Sequence, residues 1–210
     1  MNLTIFRLLC VLTGSLCLFA GMAVAPSHAS DVTVVVLHGK VIALPAGGSG
    51  MEESLGLNET VIVAEARGQT AFAQTSNRLL GFSSALRRWT DVPLDSGEQV
   101  GRHHVLPRLI LAQSDRRVYG FQEGRGHWTA EPLGVRETVK QLHGRGHVAV
   151  AITSERAMAL SSYTGGIFSI PWSTDEKVLS VEDSHDTCLI RTSTRMLVFR
   201  SQSTEWMEVK

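Results

Sequence analysis

Short runs of apolar residues, five to eight residues long, follow one another along residues 31–210, with glycine, asparagine and serine between them. In the stretch that starts at Glu59 the runs are ETVIVAEA, TAFAQTS, RLLGF and RRWTDVPL, which are rich in β-branched and aromatic residues. Such runs bounded by turn residues predict β-strands. No stretch long enough to predict a helix instead has apolar residues at helical spacing. The pattern therefore predicts an all-β protein built from short strands.

The strands belong to a repeat of 39 residues. Glutamate stands at positions 59, 98, 137 and 176, and arginine at 78, 117, 156 and 195, where it opens the pentapeptides RLLGF, RVYGF, RAMAL and RMLVF. Eleven places after each arginine comes a large apolar residue: Trp89, Trp128, Ile167 or Trp206. A partial fifth copy lies upstream, where Lys40 opens KVIAL. Four strands in a unit of ~40 residues are typical of one β-propeller blade, which buries its sheet only by stacking on neighbours.

The string LILAQSDRRVYGFQEGRGHW resembles a quinoprotein-type (PQQ-like) propeller repeat and, more loosely, kelch and WD repeats. No copy contains the Trp-Asp dipeptide of WD repeats or a complete Ala-x-Asp…Thr-Gly…Trp signature. The resemblance implies that the strand starting at each glutamate is innermost and the tryptophan strand outermost. It does not imply a PQQ-dependent enzyme, because five short blades leave little room for the cofactor.

We therefore predict a five-bladed propeller, with blades at about 31–58, 59–97, 98–136, 137–175 and 176–210. The first blade has about three strands, because its innermost strand would fall within the N-terminal leader. An incomplete blade leaves an open edge, which the chain termini or another subunit would cover, so an oligomer through blade one is one outcome of this prediction.

The N-terminal residues 1–29 have the pattern of a secretory signal peptide. Arg7 is the one charge before Asp31, an apolar run extends from Leu8 to Ala25, and Ser27-His28-Ala29 offers a small-residue cleavage site. The rival interpretation, a retained membrane anchor, is less favoured because the run falls short of about 20 residues and contains glycine. The sequence predicts a single secreted or periplasmic domain, residues 30–210, without membrane insertion after cleavage.

Charge and cysteine content narrow the function classes. Without Arg7 the chain has 19 basic and 20 acidic residues, a net charge of −1, which gives no electrostatic ground for a nucleic-acid partner. Cys188 is the one cysteine left after cleavage, so no internal disulfide forms, and its repeat row of Ala71, Ile110 and Ala149 predicts a buried thiol.

Residues that recur in every copy are predicted to serve the blade itself. The glutamate and arginine rows share one period, so we expect them to form ion pairs within or between blades. Tryptophans at one repeat position would also suit a sugar-stacking platform. Their fixed place in the repeat favours packing between blades.

One row near the predicted channel mouth departs from this rule: Glu65, His104, His143 and Glu182 are 39 residues apart and combine metal-ligand and acid/base side chains. They suggest a divalent-metal or small-ligand site, or a catalytic site with a glutamate as base. A solvated polar ring without function is the simpler alternative. Tyr163, where other copies have Ala85, Gly124 and Gln202, is a further candidate for ligand binding.

The stretch HGRGH at 143–147 looks like half of a metal site, but the glycines at 144 and 146 argue against the helix that His-x-x-x-His needs. It is interpreted as a hairpin turn, which assigns His147 to a row with Gln69, Arg108 and Asp186 that has no common chemistry. No serine or cysteine nucleophile motif and no phosphate-binding glycine loop is present. The sequence thus predicts a non-enzymatic module that binds a protein or glycan, with no identified cofactor. The alternative is a metal-dependent or acid/base hydrolase or lyase that uses the Glu/His row.

Overall fold

The computed structural model describes residues 31–209, so the predicted signal peptide lies outside the described residues. Nineteen strands in this range form five antiparallel sheets, which follow one another along the chain as the blades of a β-propeller. In residues 31–209 there is no helix that is long and apolar enough to cross a membrane.

Blade 1 has three strands and each later blade has four, in sequence order across the sheet. Blade 1 contains β1 (Val32–Leu37), β2 (Lys40–Pro45) and β3 (Met51–Ser54). Blade 2 contains β4 (Val61–Arg67), β5 (Thr70–Thr75), β6 (Arg78–Ser83) and β7 (Arg88–Pro93). Blade 3 contains β8 (Val100–Val105), β9 (Leu109–Ser114), β10 (Arg117–Gln122) and β11 (His127–Pro132). Blade 4 contains β12 (Val139–Arg145), β13 (Val148–Thr153), β14 (Arg156–Ser161) and β15 (Ile167–Pro171). Blade 5 contains β16 (Val178–Asp183), β17 (Thr187–Thr192), β18 (Met196–Arg200) and β19 (Met207–Val209).

The predicted propeller with an incomplete first blade is confirmed. Lys40 opens β2 as Arg78 opens β6, so β2 corresponds to a third strand and β1 to a second strand. Within residues 31–209, blade 1 therefore has no counterpart of the first strand, as the repeat period requires.

The predicted pairing of the glutamate and arginine rows is also confirmed in all four copies. The Nε atom of Arg78 lies 2.8 Å from Glu59, that of Arg156 lies 2.9 Å from Glu137, and the corresponding pairs in blades 3 and 5 are Arg117–Glu98 and Arg195–Glu176. These glutamate side chains are almost fully buried. Buried carboxylates are tolerated because the guanidinium and further donors satisfy them.

The same arginines join consecutive blades. The Nη2 atom of Arg78 donates to the carbonyl of Ser54 in blade 1, and that of Arg195 donates to the carbonyl of Pro171 in blade 4. Each glutamate also accepts a backbone N–H from the loop that enters its own blade, such as Gly134 N–H to Glu137 at 2.8 Å. The pairs therefore fix the linker between two blades as well as the blade itself.

The repeated tryptophans contact the preceding blade, as expected of packing residues. The indole Nε1 of Trp89 donates to the carbonyl of Met51, that of Trp128 to Thr90, and that of Trp206 to Phe168, at 2.9, 3.0 and 2.9 Å. Each indole also packs on a phenylalanine of its own blade, for example Trp128 on Phe121 at 5.2 Å between ring centroids. The tryptophan row thus closes three of the four junctions between blades, and Ile167 takes its place at the junction of blades 3 and 4.

Each sheet has a leading face, turned to the preceding blade in sequence, and a trailing face, turned to the following blade. In the central blades both are covered, and all six residues of β5 and of β13 are buried. In β2 and β17 burial alternates instead, because one face of each end blade is uncovered among the described residues. No hydrogen bond or ion pair within residues 31–209 joins blade 1 to blade 5. The described blades form an open arc.

Candidate functional site

The predicted Glu/His row lies on the trailing faces of the first strands. In the strand registers, Glu65 is opposite Phe72, His104 opposite Leu111, His143 opposite Val150 and Glu182 opposite Leu189. Side chains opposite one another share a face, and Phe72, for instance, packs on Val105 and Ile110 of the next blade. The row members therefore point towards the following blade.

Two row members contact a residue of the following blade. Glu65 lies 3.6 Å from the Nε2 of His103, and the Nδ1 of His143 lies 3.4 Å from Asp183. His103 also packs on Phe72, with 4.9 Å between the ring centroids. Among the described residues the row does not bring three metal-ligating side chains within 4.8 Å of one another. Its use as a ligand or metal site stays a prediction.

His104 and His143 are the half-buried members of this row, and the two glutamates are exposed. Burial lowers the pKa of His104, and the charges of Arg67 and His143 lower it further, whereas Asp183 and Glu65 act in the opposite direction. A neutral imidazole at pH 7 is the form that binds metals or accepts protons. Among the described residues, however, His104 is not part of a group of three potential metal ligands.

A different cluster does meet the geometric condition for a metal. His147, His185 and Asp186 each offer one ligand atom, and these three atoms lie within 4.8 Å of one another. His147 follows the turn after β12, whereas His185 and Asp186 lie in the turn between β16 and β17, so the junction of blades 4 and 5 assembles the cluster. The ring centroids of the two histidines are 4.6 Å apart and the rings are nearly perpendicular.

The hairpin between β12 and β13 makes room for this arrangement. Gly146 has a φ of +59°, a conformation that favours glycine. A Cβ atom at Gly146 would lie 2.3 Å from the carbonyl oxygen of His185, and the His147 N–H donates to that same oxygen at 2.8 Å. The HGRGH stretch is therefore the predicted hairpin, and its second glycine lets the turn of blade 5 approach.

Two serines orient the ligand side chains. The Nδ1 of His147 lies 2.8 Å from the hydroxyl of Ser162, and the Ser201 hydroxyl donates to Asp186 at 3.0 Å. Such second contacts fix the ring tautomer and the orientation of ligating groups in metal proteins. Both serines are buried, so hydrogen bonds from the protein interior orient the side chains of His147 and Asp186.

Tyr163, a predicted ligand-binding residue, belongs to this cluster. Its ring lies 4.6 Å from that of His147, and 44% of the residue is exposed. Next to it is an open concavity of about 310 Å³, lined by Tyr163, Asp186, Thr187, Arg200, Ser201 and Gln202. The junction thus combines an exposed aromatic ring, imidazoles and a carboxylate at the rim of a small depression.

The ionisation states suit ligand binding at neutral pH. Burial lowers the pKa of His147, and the charge of His185 adds to the shift, so the imidazole is neutral at pH 7. The hydrogen bond from Ser201 lowers the pKa of Asp186, which is therefore ionised. A neutral imidazole and a carboxylate are the protonation states that bind a cation.

The sequence interpretation missed this cluster because it compared residues one row at a time. His147 and Asp186 were in one row with Gln69 and Arg108, and the mixture of types hid the fact that neighbouring blades bring equivalent positions together. Ser162 and Ser201 also share a row, in which blade 3 has Glu123 beside Arg108 at 3.7 Å. The signal available in the sequence is that both rows change together. Blade 3 has Arg108 with Glu123, whereas blades 4 and 5 have His147 with Ser162 and Asp186 with Ser201.

The predicted burial of Cys188 is confirmed, and burial raises the pKa of its thiol. A buried protonated thiol is a poor nucleophile and a poor ligand. This residue therefore contributes to packing between blades 4 and 5, where it contacts the cluster that includes Ile190 and Phe199.

No family model and no curated protein sequence matches the chain. Among solved structures, the chain is similar to the N-terminal domain of Nup159 (10% identity, TM-score 0.38, 87% of this chain and 59% of that one). It is also similar to Kluyveromyces lactis Hsv2 (12%, 0.37, 87% and 61%) and to the structure of Kap60 bound to yeast RCC1 (10%, 0.41, 81% and 54%). The chain spans about 60% of the length of the first two. The likeness to quinoprotein-type and kelch-like repeats stays a prediction.

Proposed function

We propose that the chain is an exported, non-enzymatic binding and scaffold module whose partner is a protein, bound through the uncovered faces of the two end blades. The observation that carries the proposal is that each of these faces exposes a cluster of apolar side chains. On the leading face of blade 1 are Val35, Leu37, Ile42 and Leu44, and on the trailing face of blade 5 are Leu189, Met196, Val198, Met207 and Val209. Leu44 is 40% and Met207 42% exposed. Apolar sheet faces of this kind mark interaction sites.

We propose a second copy of the chain as the occupant. Every junction within the chain packs a trailing face on the leading face of the next blade, so blade 5 of one copy and blade 1 of another carry the two halves of an interface that the fold already uses. Gly50 on the leading face of blade 1 stands where later blades have Trp89, Trp128 and Trp206, and a Cβ there would already touch Ile42 and Leu44. Because the indole is missing, the side chains of Ile42 and Leu44 are free to contact the partner. Such a head-to-tail contact closes into a ring or continues as a filament.

Sedimentation velocity over a concentration series tests this assignment. We expect Leu44→Glu and Met207→Glu each to be monomeric, because a buried charge without a partner opposes association. An equimolar mixture of the two variants should form dimers and nothing larger, since one intact interface remains between them. Val135→Glu, at a fully exposed loop position, is the control and should associate like the unaltered chain.

Other outcomes would contradict a second copy. An unaltered chain that stays monomeric at every concentration would exclude it, and association of Leu44→Glu with itself would exclude the head-to-tail geometry. Export is checked separately, because the N-terminus of the protein isolated from its native cells should be Ser30.

A glycan partner is less favoured than a protein. The three repeated tryptophans are engaged in the junctions, and Trp128 is 5% exposed, so these rings offer no stacking platform. Catalysis by the Glu/His row has less support still, because Glu65 and His143 contact different partners in different junctions.

A further inference from the structure

The turn regions at the junction of blades 4 and 5 concentrate ligand chemistry that the proposed scaffold function does not use. We infer that His147, His185 and Asp186 form a binding site for a divalent transition metal of the zinc class. Two imidazoles and a carboxylate are a ligand set typical of Zn²⁺ and its neighbours, and they disfavour Mg²⁺ and Ca²⁺, which prefer oxygen ligands alone.

The geometry needs a small adjustment to hold the ion. Ligand atoms of a tetrahedral zinc site are roughly 3.3 Å apart, since each bond is about 2.0 Å long. The three atoms here lie within 4.8 Å of one another, so they must approach further. The side chains of His185 and Asp186 are 68% and 59% exposed and have room to turn, whereas His147 is held in place.

The surroundings of His147 assign its metal-binding atom. Its Nδ1 is bonded to the Ser162 hydroxyl, which leaves Nε2 as the free nitrogen. Asp186 keeps one oxygen on Ser201 and has its second oxygen 3.4 Å from the Nδ1 of His185. One oriented imidazole, one oriented carboxylate and one mobile imidazole fit a site that closes when the ion arrives.

Three protein ligands leave at least one coordination position open. Tyr163 packs against His147, with 4.6 Å between the ring centroids, on one side of the site, and the concavity beside Asp186 and Arg200 lies on another. The open position therefore faces a depression large enough for water or a small anionic ligand. Arg200 on its rim supplies a positive charge for such an anion.

The site is specific to this junction. In the corresponding positions at the junction of blades 2 and 3, Gln69, Pro107 and Arg108 replace the ligand types, and Arg108 approaches Glu123 instead. The repeat therefore contains one such cluster among the described residues, and it differs from the copies at all three ligand positions.

Isothermal titration with Zn²⁺, after removal of bound metal with EDTA, tests the inference on the whole purified chain. We expect one ion per chain with micromolar or tighter affinity. His185→Ala and Asp186→Asn should each weaken binding at least tenfold, and both should fold normally because the side chains are exposed. The double variant His38→Ala with His127→Ala removes two exposed imidazoles elsewhere and is the matched control, which should bind like the unaltered chain.

A second readout separates this site from the predicted row. The visible spectrum of the Co²⁺-loaded chain reports the ligand field directly, and it should change with His147→Ala and stay unchanged with His143→Ala. The inference is overturned if zinc does not bind, or if the control double variant loses affinity as much as His185→Ala. It is equally overturned if His143→Ala removes the ion while His185→Ala retains it, because the metal would then belong to the row. The scaffold proposal is unaffected by any of these results.

Discussion

The central blades and the end blades are built from the same repeat and differ in what covers them. Around blades 2, 3 and 4 both faces of each sheet are buried against a neighbour, and every junction has its own Glu–Arg pair. Blade 1 has Lys40 in the arginine row, bonded to the exposed Glu52, and one apolar face of blade 1 and of blade 5 is open. The same strand pattern therefore stabilises the arc in the middle and offers surface at its ends.

We expect the buried ion pairs of the junctions and the exposed pair of blade 1 to differ most in their effect on stability at acidic pH. Burial pushes the pKa of Glu176 up, but hydrogen bonds from Arg195, Thr192 and the Ser173 N–H outweigh it and lower the pKa to about 2; the pKa values of Glu59 and Glu137 are lowered in the same way. A carboxylate with a lowered pKa in the folded state adds stability above its unfolded pKa of about 4.5, and that stability is lost as the pH falls towards 2.

We therefore expect the free energy of unfolding to fall gently as the pH drops below about 6.5, where unfolded His104 and His147 would bind protons, and steeply below pH 4.5. Urea denaturation at half-unit pH steps measures it. Glu137→Gln should flatten the slope because one titrating group is removed, while Glu52→Gln, in the exposed pair of blade 1, should leave it unchanged. Equal slopes in all three proteins would contradict a role for the buried pairs.

Truncation of core residues should come next in size. Phe72→Ala removes a fully buried ring at the junction of blades 2 and 3 and should cost about 3–5 kcal/mol of unfolding free energy. Leu44→Ala, on the open leading face, should cost below about 1 kcal/mol when measured at a concentration where the chain is monomeric. Similar losses at the two positions would show that blade 1 is covered in solution by part of its own chain.

The smallest expected difference between a central and an end blade is in the unfolding free energy that is lost when an ion pair is broken. Arg156→Ala leaves Glu137 buried without its guanidinium and should cost about 3 kcal/mol. Lys40 occupies the same repeat position in blade 1, but its ion pair is exposed. We therefore expect Lys40→Ala to cost less than about 1 kcal/mol of unfolding free energy. Thermal unfolding of both variants and of the unaltered chain checks the prediction, and a larger loss for Lys40→Ala would reverse it.

The repeat made the fold readable from sequence. A period of 39 residues with glutamate, arginine and tryptophan at constant phase predicted the number of blades, the strands of each blade and the pairing of Glu59 with Arg78. These features depend on contacts that recur in every copy. A single-sequence pattern reports recurrent contacts well, because each copy repeats the same observation.

The candidate site was less readable, because it depends on one junction. The row of Glu65, His104, His143 and Glu182 was chosen for equal phase, but residues of equal phase lie on equivalent faces and meet their neighbours in separate pairs. Contact across a junction joins residues that are a full period apart or one place off it, as with His147 and Asp186 or with His143 and Asp183. His147 and His185 meet for this reason, and only the approach of the two turns at Gly146 shows it.

The direction of the tryptophan and arginine contacts has a consequence for how the chain is completed. Blades 2, 3 and 5 each send an indole to a carbonyl of the blade before, and blades 2, 4 and 5 each send a guanidinium. Because synthesis delivers the N-terminal part first, each blade that emerges remains loosely held until its successor arrives and bonds to it. We expect folding to advance in one direction, and a stalled or nicked chain to lose its last blade before any other.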